Sequence, residues 1–396
     1  MAKHKKEYLP EDGEGQTKEN ENLDPIDAIL ESKEFKGLHY GSRSGDEITK
    51  QDVVTTSSFW FDLTIGGGFR AGSWARFMSE PEGGKAQPKW AKVLNGNEEW
   101  VDIGSLKIGD KIFGSDGKLT NVIGVFPQGR KEIFKVIFSD QTFTHCCKEH
   151  LWQVKTRLCR RFDCKSTVVP LEEIINNLKL GKERRNNYSI KFCNPINFEK
   201  KSLPINPYLL GVLLGDGCFR NASILLSSGD NELIDICSKL LNGQIAKRGK
   251  FDYYINDGGK IKKSIKSFGL YGFFSYQKFI PKIYLRSSVG DRIKLLQGLM
   301  DTDGFVEAKG SGCRTEFYTT SQHLRDDIKE LVLSLGGICR EGKERKAFYT
   351  YKGRKLRGRL SYRLNISFTN GINPFRIKRK SILFKTKTQK PYKYIK

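Results

Sequence analysis

Two short apolar segments of the chain share one arrangement of hydrophobic, small and acidic residues. They are LLGVLLGDG at 209–217 and LQGLMDTDG at 296–304, which begin 87 residues apart. Nearly continuous apolar residues, followed in each case by a strand pattern and then a helix pattern, predict a buried helix in each copy. Small residues recur four positions apart, at 211 and 215 and again at 298 and 302. The two helices can therefore pack with their backbones in close contact.

An Asp-Gly pair ends each copy. A glycine lets a helix end sharply, and pairing of the two helices then brings Asp216 and Asp303 together at two helix C-termini. Two carboxylates beside the negative ends of two helix dipoles repel each other unless a cation lies between them. We therefore expect Asp216 and Asp303 to bind a divalent metal, Mg²⁺, which polarises a scissile phosphate and activates water.

The charge of the chain changes sharply near residue 88. The whole sequence has 69 Lys and Arg against 45 Asp and Glu. Residues 1–87 contain 11 Lys and Arg and 16 Asp and Glu, so the net charge of this segment is −5. The net charge of the remaining residues is +29. Tyr and Phe are interleaved with the lysines of the basic part, which indicates a nucleic-acid partner, and we expect double-stranded DNA. Because no apolar run has the length of a membrane span and the N-terminus does not resemble a signal peptide, we predict a cytoplasmic protein without a membrane partner.

Short strand patterns separated by turns extend from 88 to about 203. The runs EEWVDIG, KIGDKIFGSDGK, VIGVFPQG and KEIFKVIFSDQTFTHCCKEHLWQV predict a compact all-β domain, with Gly and Asp at the hairpin turns. The cysteines and histidine between 146 and 164 lack the usual ligand spacing of a zinc site. Helix and strand patterns are mixed from 204 to about 374, around the two apolar copies.

The paired copies resemble the signature of LAGLIDADG homing endonucleases. That resemblance implies an α+β domain of two pseudo-symmetric αββαββα repeats, each of which uses its Asp as a metal ligand and cuts one DNA strand. Between the copies, YQKFIPKIYL resembles the K-x-I-P block of the family, whose lysine lies near the cleavage centre. Lys278 is accordingly a predicted catalytic residue, since a cation there can stabilise charge on the phosphate or help to activate water.

Two stretches of the β segment resemble inteins, the self-splicing elements that interrupt host proteins. WVDIGSLKIGDKIFGSDGK is similar to the first intein block, and FSDQTFTHCCKEHLWQV is similar to the second. The resemblance implies an all-β Hint splicing domain that begins at Pro88, as in the third mechanistic class, where a downstream Cys attacks the N-terminal junction. His150 would then donate a proton to the junction amide. Trp152 would pack beside the junction, and Cys147 would polarise its carbonyl or amide.

The segment before Pro88 resembles the start of a RecA-like recombinase core. SSFWFDLTIGGGFRAGSWARFMSEPEGGK ends in a phosphate-loop pattern, in which Gly84 and Lys85 are the predicted nucleotide-binding residues. Ser79 stands in place of the first loop glycine, and Ala86 replaces the hydroxyl that binds Mg²⁺. Since the rest of an ATPase core is not recognisable downstream, we expect no ATP cofactor in this fragment. An intein inserted in the loop accounts for the interruption.

The sequence thus predicts a multidomain chain. Its parts are an α/β RecA-like host fragment at 1–87, the N-terminal part of a Hint domain at 88–203, the endonuclease at 204–374, and the start of a C-terminal splicing segment at 375–396. The predicted function is site-specific double-strand DNA cleavage, within an incomplete or split recombinase precursor of phage or bacterial type. Splicing would need a separate C-terminal intein and recombinase polypeptide, and KPYKYIK is expected to pair with the first β domain.

Two other functions stay open at this point. The first is a maturase-like module that binds DNA or RNA and carries inactive carboxylates. The second is a working P-loop ATPase or recombinase.

Overall fold

The computed structural model describes residues 53–54, 69–70, 87–181, 185–310, 312–386 and 392–396. The chain divides into two compact units, Met1–Ser79 and Glu80–Lys396. The described residues of the first unit form one antiparallel pair, β1 (Val53–Val54) with β2 (Phe69–Arg70). The predicted nucleotide-binding residues Gly84 and Lys85 lie outside the described residues.

Antiparallel hairpins build the first part of the second unit, as the alternating pattern and the turn residues predict. The four hairpins are β3 (Lys92–Leu94) with β4 (Trp100–Asp102), β5 (Lys111–Phe113) with β6 (Leu119–Asn121), β7 (Phe134–Ile137) with β8 (Phe143–Cys146), and β9 (Leu151–Val154) with β10 (Thr167–Pro170). The short helix α1 (Arg157–Phe162) lies between β9 and β10. A second short helix, α2 (Leu171–Asn176), and three short strands, β11 (Lys179–Leu180), β12 (Arg185–Asn186) and β13 (Ser189–Lys191), follow β10.

One predicted strand is absent from this β part. The stretch 122–129, VIGVFPQG, forms no strand. Gly124, Pro127 and Gly129 interrupt it, and Gly129 adopts a left-handed φ of 71° that leaves the extended region.

The C-terminal strand returns to this β part. Strand β23 (Tyr392–Tyr394) pairs antiparallel with β13, and Ile395 forms a bridge with Phe138. Both bridge residues are buried, in a core that also contains Val136, Cys146, Val154, Val169, Leu171, Ile174 and Tyr188. The pairing expected for KPYKYIK is therefore present.

Residues 207–267 form the first of two similar layers of helix and sheet. Its helices are α3 (Pro207–Asp216), α4 (Asn231–Leu240) and α5 (Lys260–Ser267). Its strands are β14 (Gly217–Cys218), β15 (Leu225–Ser227), β16 (Ile245–Lys247) and β17 (Asp252–Ile255), in the sheet order β14-β15-β17-β16. The short helix α6 (Lys282–Leu285) lies between this layer and the next.

The second layer repeats the same order of elements. Its helices are α7 (Val289–Asp303), α8 (Gln322–Ser334) and α9 (Lys378–Ser381). Its strands are β18 (Gly304–Lys309), β19 (Gly312–Thr319), β20 (Ile338–Glu341), β21 (Arg345–Tyr351) and β22 (Arg354–Ser367). The sheet order β18-β19-β22-β20 matches that of the first layer, and β21 pairs with β22 in addition. The predicted strand and helix that follow each apolar copy are thus both present.

One hydrophobic core joins the two layers, with α3 and α7 at its centre. Phe375 and Ile377 belong to this core, and Phe384 packs against it. The predicted boundary at residue 374 therefore falls inside a packed unit, because these apolar side chains follow it. In the part of the chain that the structure describes, no helix is long and apolar enough to cross a membrane.

Candidate endonuclease and splicing sites

Helices α3 and α7 begin at side-chain caps and then pack backbone against backbone. Asn206 accepts a hydrogen bond from the N–H of Tyr208 and precedes Pro207, and Ser288 caps α7 in the same way. A Cβ added to Gly211 would lie 2.3 Å from the carbonyl oxygen of Leu295. Only glycine leaves room for so close an approach.

The packing brings the two predicted carboxylates together. A Cβ added to Gly215 would lie 3.3 Å from Oδ2 of Asp303, so this carboxylate lies beside the end of the other helix. Burial raises the pKa of Asp216, and the positive charges of Lys278 and Lys380 oppose that rise. Burial and then the negative charge of Asp216 raise the pKa of Asp303 to about 6. The two groups therefore lie close enough to repel each other, as the sequence predicts.

Lys278 lies at the carboxyl end of α3. Its Nζ donates to the carbonyl oxygens of four residues at distances of 2.7–3.3 Å, and these residues are Leu213, Leu214, Gly215 and Gly217. The carbonyl of Leu213 also accepts from the N–H of Gly217, whereas the last carbonyls of a helix generally lack a partner within it. The ammonium group supplies a donor at this end and faces the negative end of the helix dipole. Burial lowers the pKa of Lys278 to about 8, and the charges of Asp303 and Asp216 oppose that fall.

Lys380 makes the same contacts at the end of α7, and the sequence pattern did not reveal it. Its Nζ donates at 2.6–3.3 Å to the carbonyl oxygens of Met300, Asp301, Thr302 and Gly304. Each acceptor lies 87 residues after its counterpart around Lys278. Burial, and then the charge of Arg379, lowers the pKa of Lys380 to about 8. The ends of α3 and α7 together form a pseudo-symmetric centre, with one lysine and one aspartate at each helix end.

A buried carboxylate holds the segment that carries Lys380. Asp301 accepts a 2.7 Å hydrogen bond from the hydroxyl of Tyr208 and further bonds from the N–H groups of Arg376 and Ile377. Burial raises the pKa of Asp301 to about 6. The equivalent position in the first copy is Leu214, so this support exists in the second copy alone.

The donor set of this centre suits a hard divalent cation. Asp216 and Asp303 supply carboxylate oxygens, and Mg²⁺ typically binds through one or two carboxylates and completes its shell with water and phosphate oxygens. No group of three or more His, Cys, Asp or Glu side chains in the described ranges could form a dedicated metal cage. The arrangement therefore fits a metal that a phosphodiester substrate helps to hold.

The predicted splicing residues lie in the hairpin part of the unit. Pro88 is buried, and its carbonyl oxygen accepts a 2.8 Å bond from the N–H of Ala91. The rings of His150 and Trp152 meet edge to face at 5.3 Å. Cys147 is buried, and its carbonyl oxygen accepts from the N–H of His150 at 3.3 Å. Three of the four residues are thus neighbours in one local cluster.

A second histidine contacts the segment that begins at Pro88. The ring of Trp90, two residues after Pro88, meets the ring of His145 at 4.9 Å. His145 lies on β8 in the same block as His150. Its proximity to the predicted junction depends on how the hairpins pack, which the sequence pattern does not specify.

Comparisons with known proteins agree with part of this interpretation. A family model described as LAGLIDADG-like domain matches residues 291–368, which contain α7 and the second sheet. The chain therefore carries a LAGLIDADG-like domain. The chain is also 29% identical over 300 residues to the replicative DNA helicase DnaB of Mycobacterium intracellulare, an alignment that covers 72% of this chain and 47% of the relative. A 28% match to the DnaB helicase of Synechocystis covers 32% of this chain and 17% of that protein.

The chain thus spans about half the length of one of these relatives and less of the other. Among solved structures, the gp41-1 intein aligns with 26% of this chain and 73% of its own, at 20% identity and a TM-score of 0.19. The homing endonuclease I-DmoI in complex with DNA and Mn aligns with 41% of this chain and 89% of its own, at 16% identity and a TM-score of 0.25.

Proposed function

We propose that this chain is a site-specific double-strand DNA endonuclease carried inside an intein. The observation that carries the proposal is the juxtaposition of Asp216 and Asp303 at the ends of two tightly packed helices, each with a lysine at its terminal carbonyls. The reaction is metal-dependent hydrolysis of one phosphodiester bond in each DNA strand, with one Asp for each strand.

Each side chain of the centre has a defined role in this proposal. Asp216 and Asp303 would hold the metal through their carboxylate oxygens. Mg²⁺ at these carboxylates would polarise the phosphate and lower the pKa of a bound water. Lys278 and Lys380 fix the ends of α3 and α7, so the carboxylates cannot move apart under their mutual repulsion. Their positive charges also lower the cost of bringing a phosphate anion into the site.

Plasmid cleavage tests the endonuclease proposal. The purified chain is incubated with Mg²⁺ and a plasmid library that carries a randomised target, and linear products are sequenced. We expect one preferred sequence to be cut on both strands, with no cutting in EDTA. The double variant Asp216→Asn, Asp303→Asn should bind the same DNA without cutting it. DNA binding without cleavage of any library member would favour a maturase-like module with inactive carboxylates.

The β part is proposed to be the N-terminal portion of a splicing domain. The return of β23 to pair with β13 supports this proposal, because residues on both sides of the nuclease then complete one β fold. Pro88 would be the first intein residue, and His150 would protonate the amide that leaves the Gln87 carbonyl. Pro88 has no side chain that could attack that carbonyl, so we expect a downstream Cys to do so.

The host protein is proposed to be a RecA-like ATPase interrupted in its phosphate loop. Both relatives named above are replicative helicases, so we propose a helicase as host in preference to the recombinase that residues 53–85 suggested.

Mass spectrometry of the chain, extended after Lys396 by a downstream intein segment, tests the splicing proposal. His150→Ala should slow release of the fragment that ends at Gln87. Release of that fragment in the absence of any downstream segment would contradict the assigned mechanism.

A further inference from the structure

The two lysines of the centre lie on segments that are bound from the opposite layer. Lys278 follows α5, and its ammonium group binds the carbonyls at the end of α3, in the first layer. Lys380 lies on α9, and its ammonium group binds the carbonyls at the end of α7, in the second layer. The chain around each lysine, however, makes hydrogen bonds to a helix of the other layer.

Helix α8 of the second layer binds the segment that carries Lys278. Ser321, the N-cap residue of α8, is buried, and its Oγ donates to the carbonyl oxygen of Lys278 at 2.6 Å. Asp327, in the second turn of α8, accepts a 2.7 Å bond through Oδ2 from the N–H of Ile280. One helix thus fixes two backbone groups of the segment, the carbonyl of the lysine itself and the N–H two residues after it.

A stacked ring adds a further contact between the second layer and this segment. Tyr276 lies two residues before Lys278, and its ring centre is 3.6 Å from the guanidinium carbon of Arg359 on β22. A guanidinium over an aromatic face is attracted by the ring and contributes more as water is excluded. The second layer therefore holds the segment on both sides of the lysine.

Helix α4 of the first layer binds the segment that carries Lys380. Oε2 of Glu232 accepts a 2.9 Å bond from the N–H of Lys378. Asp230, the N-cap residue of α4, accepts a 2.6 Å bond from Nε of Arg379. As in α8, the contact uses the N-cap residue and an acidic side chain of the helix. The two layers therefore exchange equivalent contacts.

The segment of Lys380 has a second anchor within its own layer. Asp301 of α7 accepts bonds from the N–H groups of residues 376–377. The equivalent position in α3 is Leu214, whose side chain cannot accept a hydrogen bond. The position of Lys278 therefore depends more on α8 than the position of Lys380 depends on α4.

We propose that each layer of the nuclease positions the lysine of the other layer. Asp327 is a positioning residue for Lys278, and Glu232 is a positioning residue for Lys380. The inference rests on the proposed function, in which each helix end serves one DNA strand. A change in α8, in the second layer, would then impair cleavage of the strand served by the first layer. Neither half could reach its active arrangement without the other half packed against it.

Strand-resolved cleavage tests the proposal. The probe is a duplex with the sequence that the unmodified chain cuts, labelled with a different fluorophore on each strand, and denaturing gels give the Mg²⁺-dependent rate for each strand. Lys278→Met and Lys380→Met identify the strand that depends on each lysine. Asp327→Ala, which removes the acceptor for Ile280, should slow the strand that depends on Lys278 at least about fivefold more than the other strand. Glu232→Ala should slow the opposite strand, by a smaller factor because Asp301 remains.

Two controls separate positioning from a general loss of structure. Asp327→Asn keeps an acceptor for Ile280 and should restore the strand ratio of the unmodified chain. Asp326→Ala, at the neighbouring exposed position of α8, should leave both rates unchanged. Equal slowing of both strands in Asp327→Ala, or selective slowing of the strand that depends on Lys380, would overturn the proposal.

Hydrogen exchange tests the same contacts without DNA or cleavage. In Asp327→Ala, amides 213–217 at the end of α3 should exchange at least about threefold faster, because Lys278 no longer holds that end firmly. Amides 300–304 at the end of α7 should be unchanged. Glu232→Ala should give the reverse pattern, so the test does not depend on the folding of one variant. Unchanged exchange at 213–217, or faster exchange at 300–304 alone, in Asp327→Ala would overturn the proposal.

The two measurements also distinguish this inference from the proposed function. A chain that cuts no DNA but shows the crossed exchange pattern would contradict the nuclease and leave the crossed positioning in place. A chain that cuts DNA without the expected strand bias would contradict the crossed positioning alone.

Discussion

Gly211 and Gly298 lie against each other so closely that a Cβ added to either would be 3.0 Å from the Cα of the other. The same Cβ atoms would lie 2.1–2.3 Å from backbone carbonyl oxygens of the facing helix. A backbone atom cannot move aside as a flexible side chain can, so a methyl group here must separate the helices. The distance between the carboxylates of Asp216 and Asp303 depends on that contact.

Gly211→Ala or Gly298→Ala should therefore lower the free energy of unfolding by about 3 kcal/mol, as overpacking does. Both variants should also lose DNA cleavage, because the helix ends move apart. Chemical unfolding and plasmid cleavage measure the two effects. Gly290→Ala is the matched control: it lies in α7 with no atom within 4 Å of its added Cβ. It should be neutral or raise stability by about 0.5 kcal/mol, and a loss as large as that of Gly211→Ala would contradict the packing argument.

Asp216→Asn and Asp303→Asn should each abolish double-strand cleavage while leaving salt-sensitive DNA binding in place. In the proposed function the two acids would hold the metal, whereas Lys and Arg side chains would hold the phosphates. Agarose gels of a target plasmid and anisotropy of labelled duplex give the two readouts. Asp235→Asn, an exposed position on α4, should cut like the unmodified chain. Undiminished double-strand cutting by both active-centre variants would refute the assignment.

Lys278→Met and Lys380→Met should reduce the cleavage rate by similar factors, at least tenfold, because the two lysines occupy equivalent positions. Each variant should also lose about 1–3 kcal/mol of stability, since buried carbonyls are left without a donor. The variants Lys278→Arg and Lys380→Arg test whether a positive charge is enough to keep the cleavage rate of the unmodified chain. Lys378→Met, an exposed position of α9, is the control. A loss of rate at Lys278 without one at Lys380 would show that the symmetry is not functional.

Asp327 gives a prediction about pH and stability. Its carboxylate accepts a 2.7 Å bond from the N–H of Ile280, and burial raises its pKa to about 6. The folded state therefore binds a proton more tightly than the unfolded state, in which the pKa is about 4. The stability of the unmodified chain should fall as pH rises from about 4 to above 6.

Asp327→Asn keeps an acceptor for Ile280 and removes the buried charge. Its free energy of unfolding should exceed that of the unmodified chain by about 1–2 kcal/mol at pH 7.5 and by much less at pH 4. Urea unfolding at the two pH values measures the difference. If the difference in free energy of unfolding between Asp327→Asn and the unmodified chain were the same at pH 4 and pH 7.5, the pKa of Asp327 would not be raised in the folded state.

The sequence predicted the paired helices α3 and α7 because their signal is local. Small residues, apolar residues and a terminal Asp-Gly pair lie within nine positions in each copy, so the helix pairing and the meeting of Asp216 with Asp303 could be predicted from the spacing together with the resemblance to LAGLIDADG endonucleases. Lys278 could be found because it and the following Ile-Pro pair resemble the K-x-I-P block of that family. These features needed no knowledge of how distant segments pack.

Lys380 could not be found in this way. It follows Lys278 by 102 residues, whereas the helix ends are 87 apart. The additional hairpin residues of β21 and β22 lie between the second helix and Lys380, so the repeat spacing does not point to this lysine. It also stands in RIKRKSILF, among other cations. The contact of Trp90 with His145 was hidden for a similar reason, because it depends on packing between hairpins.

The pairing of Lys191 with Tyr392 has a consequence for how such a chain can change over evolutionary time. The polypeptide leaves the β part after strand β13 and returns to it on the neighbouring strand β23, opposite the point of departure. A turn of a few residues could join the two strands directly and leave their ladder intact. One in-frame event in the gene could therefore add or remove the whole intervening domain without changing the β fold on either side of it.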